Sequence, residues 1–276
     1  MKILITGGNG YIARNLTRLL SEKNHVVLNP GRIELDVTNL PKLKEYVSHH
    51  KPDAIIHTAI KGGHRTRTDT IEDFVANMIM FENIISVMKD RKVIVYGSGA
   101  EYDRRGNINE VFEMDVFNAW PIDFYGLSKN LITRRIIDHN PRIHILRIFG
   151  CFNHDEDDNR FIKSSILNIK RGLPIEIHQD KLMDFIYMDD LCNVTEHFLL
   201  NNVPAWNVNV VYPEKMLLSE IAKYINDKAG MIDPEIHFRQ FGIGLSYSGN
   251  GERLSNLNIP LIGLEEGINR TLKVLL

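Results

Sequence analysis

The sequence predicts an α/β fold built on a doubly wound parallel sheet, followed by a smaller α/β region. Two observations carry that expectation. Short β-branched runs alternate with helix-period segments through the first half, and a glycine-rich turn opens the first of those helices. A third, the frequent Gly, Pro and Asn interruptions of the last third, marks a change to shorter, loop-rich elements.

The first strand is read at Lys2 to Ile5, and Thr6-Gly7-Gly8-Asn9-Gly10-Tyr11-Ile12-Ala13 follows it. Gly7, Gly10 and Ala13 recur at three-residue spacing. Glycines permit a tight turn and close backbone approach to a pyrophosphate, the small third residue lets the helix lie near the strand, and the helix N-terminus favours an anion. The turn therefore reads as the dinucleotide site of a Rossmann-type domain, with Gly7, Asn9, Gly10, Tyr11 and Ile12 as cofactor contacts. The alternative is a purely structural turn.

Ile12, Leu16, Leu19 and Leu20 give the first helix one apolar stripe, and a second strand is expected at Val26 to Asn29. At the end of that strand an NAD site often places an acid on the ribose 2′-hydroxyl, but Asn29 stands there. Arg32, three residues on, and Arg14 are candidates for a 2′-phosphate, which favours NADP over NAD. Leu40, Leu43, Tyr46 and Val47 repeat the helical spacing. Further strands are read at Ala54 to His57, Lys92 to Tyr96 and His144 to Ile148, with helices over Ile71 to Met88 and Asp123 to His139, the latter stopped by Pro141. Beyond these, Gly172, Pro174, Pro204, Pro213, Pro234 and the stretch from Gly242 to Pro260 punctuate the chain. The expected organisation is a dinucleotide-binding domain over 1–150 and a substrate-binding region over 151–276, with a segment at about 183–211 returning to the first domain.

The 276 residues carry 33 Lys plus Arg against 35 Asp plus Glu, a formal charge of −2, and are 43% hydrophobic. That balance supplies a sizeable core and no general basic surface for nucleic acid or anionic lipid. Two cysteines, Cys151 and Cys192, make no disulfide framework or paired metal signature, which fits a reducing cytoplasm, and Cys151 reads as a packing residue. No charged leader is expected ahead of the first strand, and no apolar run is long enough for a membrane helix. The histidines do not pair at metal-ligand spacing: His49 and His50 are adjacent, His57 and His64 straddle a Gly-Gly turn, and the His154 to Asp158 cluster reads as a solvated loop. No metal site is expected.

Tyr125 and Lys129 stand at i and i+4, on one face of a predicted helix, where a cation suits a phenol to proton transfer. The spacing is common, and Tyr224 with Lys228 repeats it. Context separates the two, because only Tyr125 follows a parallel strand and its Gly97-Ser98-Gly99-Ala100-Glu101-Tyr102 tail, and ligands gather at strand carboxyl ends. Trp120, Phe124 and Phe152 lie near these motifs in the chain and read first as packing residues.

Together these residues resemble the extended short-chain dehydrogenase/reductase family, in its branch of nucleotide-sugar epimerases, dehydratases and reductases. The likeness also covers Asp36-Val37, similar to an adenine-contacting pair, and Asp53 to Ala59, similar to the strand that passes the cofactor. Asn77, Pro121 and Asp184-Phe-Ile-Tyr-Met-Asp-Asp-Leu191 complete it, with Met183 where the family has Arg. The resemblance implies that Tyr125 gives or takes the proton, that Lys129 binds the nicotinamide ribose, and that Ser98 hydrogen-bonds the reacting oxygen. It also implies cofactor contacts at Thr58, Ala59, Ile60, Asp36 and Val37, a nucleotide-sugar substrate, and a homodimer formed through the helices at Ile71 to Met88 and Asp123 to His139.

Departures from the family pattern narrow the reaction. Sugar 4,6-dehydratases carry an Asp-Glu pair after the Ser or Thr, whereas this chain has Gly99 and Ala100, with Glu101 one residue later. Ala59-Ile60-Lys61-Gly62-Gly63 and Phe81 to Ile85 look like the GDP-fucose synthases, yet Ala100 and Arg160 stand where those enzymes have an epimerising Cys and His. The expected activity is therefore NADP-dependent reduction of the C4 ketone of a nucleotide-linked 4-keto-6-deoxy sugar, GDP favoured, without C3 or C5 epimerisation. A 4-epimerase with tightly bound NAD and a non-catalytic nucleotide-binding scaffold are the alternatives. Gly150 replaces the Asn of the family's Arg-x-x-Asn, leaving Asn153, Arg160, Lys163 and Arg253 as candidate substrate contacts, each with a solvated charge or polar residue as its alternative.

Overall fold

The computed structural model describes residues 1–63, 67–137, 142–230 and 235–276. In chain order the elements begin β1 (Lys2–Thr6), α1 (Tyr11–Glu22), β2 (Val26–Leu28), α2 (Leu40–His50), β3 (Ala54–His57), α3 (Ile71–Met88) and β4 (Lys92–Ser98). A 3₁₀ turn over Gly99–Tyr102, β5 (Ile108–Val111), α4 (Phe124–Ile136) and β6 (Ile143–Ile148) follow. The remainder comprises β7 (Cys151–Phe152), α5 (Phe161–Lys170), β8 (Ile175–Asp180), β9 (Ile186–Tyr187), α6 (Met188–Leu200) and β10 (Asn207–Asn209), then α7 (Leu218–Lys228), β11 (Ile236–Ile243), β12 (Tyr247–Gly249), α8 (Glu252–Ser255) and α9 (Leu264–Leu275).

The chain forms two compact units: 1–104, 113–147 and 192–208 make the first, and 105–112, 148–191 and 209–276 the second. The first holds a six-stranded sheet of order β10-β6-β4-β3-β1-β2, with β2, β1, β3 and β4 paired in parallel. This is the predicted Rossmann-type architecture. Strands β1 and β3 are buried along nearly their whole length, as strands covered on both faces must be, and their Ile and Leu side chains meet helices in one core that includes Leu4, Ile55, Phe81, Ile84 and Val93.

Local signals set the helix starts. Thr70 and Asp73 form a reciprocal capping box at the head of α3, so its predicted bounds, Ile71 to Met88, coincide with the observed ones. Asn39 caps α2, and Asp123 caps α4 by accepting the Gly126 N–H at 2.7 Å. The predicted end of α4 at His139 and Pro141 lies outside the described residues, as do His64 and Pro234. Strand β2 stops at Leu28 rather than Asn29, because the chain turns so that the Pro30 carbonyl accepts the Gly8 N–H at 3.0 Å. Strand β4 runs two residues past Tyr96 to Ser98.

In the second unit, two-stranded pairings join β8 with β11, β5 with β12 and β7 with β9. Its core gathers Phe152, Ile162, Ile166, Ile177, Phe185 and Ile221 among others. The expected shorter elements are met by β7 and β9, with two residues each, but not by every helix. Helices α7 and α9 have 11 and 12 residues, against 12 for α1, because Gly172, Pro174, Pro204 and Pro213 fall between elements and α9 accommodates Gly267 within it. The adjacent His49 and His50 rings meet edge to face at 4.7 Å. Among the described residues no helix is long and apolar enough to cross a membrane.

Candidate active site

At the turn after β1, Gly7 takes φ +74°, and a Cβ on it would sit 2.8 Å from the Ala59 Cα. Only glycine allows that approach. The Thr6 hydroxyl accepts the Ala59 N–H at 3.2 Å, and Thr58 donates to the Thr6 carbonyl, so Gly7, Thr58 and Ala59 are drawn together at the ends of β1 and β3. Gly10 caps α1 with no side-chain hydrogen bond and no acid stands in the first turn, a setting in which a helix N-terminus favours an anion.

Asn29 faces the same turn: its amide nitrogen donates to the Gly8 carbonyl at 3.3 Å, while its buried Oδ1 has no partner. An orphaned acceptor beside an uncapped helix start is what a dinucleotide would satisfy, so the residues present fit that group. Arg32 is two-thirds exposed, with one 3.3 Å bond to Asp36, and Arg14 is engaged by the Asn9 carbonyl. Asp36 also accepts from the Thr38 hydroxyl and amide, which hold its carboxyl below the usual range. Val37 is buried, with its carbonyl taken by Asn83, and Ile60 is exposed.

Ser98, Tyr125 and Lys129 come together in the first unit. Ser98 ends β4, and its hydroxyl stands near enough to the Tyr125 phenol to oppose the effect of burial on it. The Lys129 ammonium lies 6.0 Å from the centre of the Tyr125 ring and donates to the Tyr96 carbonyl at 2.5 Å. Burial lowers the Lys129 pKa to about 8, against a raising influence from Glu101. Burial also raises the Tyr125 phenol, so it carries its proton at neutral pH. His57, at the end of β3, is bonded to the Thr6 hydroxyl at 2.9 Å, and burial together with the Lys129 charge pushes it down to about 3, leaving it neutral.

Contacts between residues distant in the chain also shape this site. Asn77 clamps the loop after β3, accepting the Lys61 N–H at 2.8 Å and donating to the Lys61 carbonyl at 2.9 Å. Asp69 accepts the Gly63 N–H at 2.7 Å. Gly63 then lies so close to Tyr125 that a Cβ would stand 2.8 Å from the ring. Glu101 and Arg147, 46 residues apart, form a fully buried ion pair at 2.8 Å directly behind Ser98. A charged residue inside the apolar strand at Ile143 to Ile148 was the one signal that could have announced that pair.

The four candidate substrate contacts belong to the second unit and are tied into their own segment. Asn153 is buried and accepts the Asp155 N–H at 2.9 Å. Arg160 caps α5 and lies 3.8 Å from Glu156. Lys163 reaches the Glu156 carbonyl at 2.7 Å and Asp158 at 2.9 Å, and Arg253 sits on α8. Gly150 has a structural reason: a Cβ there would lie 2.8 Å from the Asp184 carbonyl, so no side chain fits. Tyr224, the competing Tyr-Lys match, joins the core of the second unit and donates to Asn269.

The profile of the NAD dependent epimerase/dehydratase family matches residues 3–210. The chain is similar to GDP-L-colitose synthase of Yersinia pseudotuberculosis, 25% identical with 98% of this chain and 96% of that protein covered. It is also similar to GDP-6-deoxy-D-talose 4-dehydrogenase of Aggregatibacter actinomycetemcomitans, 24% identical with 81% of each covered. In fold it is similar to a GDP-mannoheptose C4 reductase from Campylobacter jejuni solved with NADP, with a TM-score of 0.79, 19% identity, and 99% of this chain and 97% of that chain covered.

Proposed function

Because the chain belongs to the NAD dependent epimerase/dehydratase family, we propose that it reduces the C4 ketone of a nucleotide-linked 4-keto-6-deoxy sugar with NADPH, without epimerising C3 or C5. The observation that carries this reading is the gathering of Ser98, Tyr125 and Lys129 in one unit while Gly99 and Ala100, at the positions that move protons in dehydratases, carry no ionisable group. Two relatives bear on the substrate: one is named for a GDP-linked colitose and the other for the 4-position of a GDP-linked 6-deoxytalose.

When bound, the reduced nicotinamide supplies the hydride that C4 receives. Tyr125, protonated at neutral pH, gives its proton to the oxygen as charge develops there, so that ketone becomes alcohol. The Ser98 hydroxyl donates to the same oxygen and fixes its direction. Lys129 stabilises the phenolate left on Tyr125 and would hold the nicotinamide ribose. Gly7, Asn9, Gly10, Tyr11, Ile12, Thr58, Ala59 and Ile60 would hold the rest of the dinucleotide, with Asp36 and Val37 near the adenine. Exposed Arg32, three residues past Asn29 where an NAD site often has an acid, favours a 2′-phosphate. Asn153, Arg160, Lys163 and Arg253 would meet the substrate diphosphate.

A second copy of the chain would pair along α3, where Ile71, Val75 and Ile79 stand exposed at four-residue intervals. Light scattering checks this: the wild type is expected to weigh as a dimer and a Val75→Glu/Ile79→Glu variant as a monomer.

The reading is tested by mixing protein, NADPH or NADH, and a panel of nucleotide 4-keto-6-deoxy sugars while following the reduced nicotinamide absorbance. Substrate-dependent oxidation is expected, faster with NADPH and with a GDP sugar. No oxidation with any member, together with NAD carried through purification, would instead favour a 4-epimerase.

A further inference from the structure

Glu101 is an acid without a role in the reduction as derived, yet it is completely buried and lies directly behind the site. Its Oε1 accepts the Ser98 N–H at 2.8 Å, closing a capping box in which the Ser98 hydroxyl accepts the Ala100 N–H at 3.2 Å. Its Oε2 accepts from the Thr133 hydroxyl at 2.7 Å and from Arg147 Nε and Nη2 at 3.0 and 2.8 Å. Its backbone carbonyl accepts from Asn130 at 2.9 Å.

Thr133 and Asn130 belong to α4, the helix that presents Tyr125 and Lys129, and Tyr125, Lys129 and Thr133 follow one another at four-residue steps along one face. Glu101 is thus fastened to the strand that carries Ser98 and to the helix that carries Tyr125. The backbone makes room for it: a Cβ at Gly97 would lie 2.5 Å from Glu101 Oε1. Arg147, itself wholly buried, neutralises the carboxylate and leaves Oε1 facing Ser98.

We propose that Glu101, held by Arg147 and Thr133, is the positioning residue that fixes Ser98 against Tyr125. A carboxylate whose two oxygens bridge β4, β6 and α4 sets the Ser98 hydroxyl on the reacting oxygen. Displacing a reacting partner by about 1 Å costs on the order of 10²-fold in rate. The inference rests on the reductase reading for its kinetic test but not for its structural one.

Removing Glu101 alone would strand the buried Arg147 charge, so both charges are removed together. Glu101→Gln/Arg147→Met keeps an acceptor for the Ser98 N–H, whereas Glu101→Met/Arg147→Met removes it. Melting temperature, kcat and cofactor KM are measured for both pairs, each with and without Ser98→Ala. The Gln pair is expected within about fivefold of wild-type kcat, and the Met pair on the order of 10²-fold below it, with cofactor KM within about threefold for both. Adding Ser98→Ala to the Met pair is expected to cost little more, since two changes acting through one group do not add. A Met pair as active as the Gln pair, or a full further loss on adding Ser98→Ala, overturns the assignment. So does a Met pair that fails to fold while the Gln pair folds, which makes Glu101 a purely structural residue. Wild-type protein that turns over no nucleotide sugar defeats the reductase reading instead. Crystal structures then decide the positioning claim: Ser98 Oγ displaced from Tyr125 in the Met pair upholds it, and an unmoved Ser98 overturns it.

Discussion

Buried carboxylates do different work in the two units. In the first, Glu101 stands behind Ser98 and its bonds run to the strand and helix that carry the candidate catalytic groups. In the second, Asp190 accepts from the Tyr212 hydroxyl at 2.5 Å and from the Ile262 and Gly263 amides at 2.7 and 3.0 Å. Asp184 accepts from Lys215 at 2.9 Å and from the Gly249 amide at 2.8 Å. These are staples across loop-rich chain, joining segments 22 to 73 residues apart. The contrast teaches that a unit built on continuous parallel strands can set a buried carboxylate behind a site, whereas a unit of short pairings uses such groups to hold its connections.

The largest effect should come from Tyr125→Phe. It removes the proton donor, so kcat is expected to fall on the order of 10²–10⁴-fold while the melting temperature stays within about 2 °C. An unchanged rate on a turned-over substrate would remove Tyr125 from the mechanism. Asp190→Ala is the opposite case. It strands the Tyr212 hydroxyl and two amides, and is expected to cost about 2–4 kcal/mol, lowering the melting temperature by about 5–10 °C. Calorimetry that found Asp190→Ala as stable as the wild type would break the comparison.

One pH effect on stability should come from the first unit's His57. Its folded pKa, about 3, lies below the ordinary value of 6.5, so the unfolded chain takes up a proton that the folded chain refuses. Its contribution to stability is present above pH 6.5 and is lost as pH falls from there toward 3. Denaturant melts across that window should show a loss of roughly 4 kcal/mol from this group, and His57→Gln should flatten the slope. An unchanged slope would contradict the burial argument.

The smallest effect sharpens the contrast. Gly63 and Gly172 both have positive φ, +72° and +67°, but a Cβ meets the Tyr125 ring at the first and nothing within 4 Å at the second. Alanine at either site should cost about 1–2 kcal/mol of backbone strain. Only Gly63→Ala is expected to slow turnover as well, on the order of tenfold or more. Equal kinetics for the two variants would separate the Gly63 loop from the site.

Much of the first unit was legible because its signals are local. The glycine spacing after β1, the Thr70 to Asp73 cap and the alternation of strands with amphipathic helices each lie within a few residues. That Ser98, Tyr125 and Lys129 share the first unit was readable by motif and context. What escaped depends on chain-distant partners: Glu101 with Arg147, Asn77 with Lys61, and Asp190 with Tyr212. A buried charge pair has no periodicity, and its partner is chosen by the fold. The second unit's helices were underestimated for a related reason, since a proline in a connection and one in a helix look alike until the ends are known.

The measurement that tests the central claim most directly is turnover in D₂O with NADPH deuterated at the transferred position, the product being read by NMR. C4 reduction without epimerisation predicts deuterium from the cofactor at C4 and ordinary hydrogen retained at C3 and C5. Deuterium from solvent at C3 or C5, or none from the cofactor at C4, would contradict it.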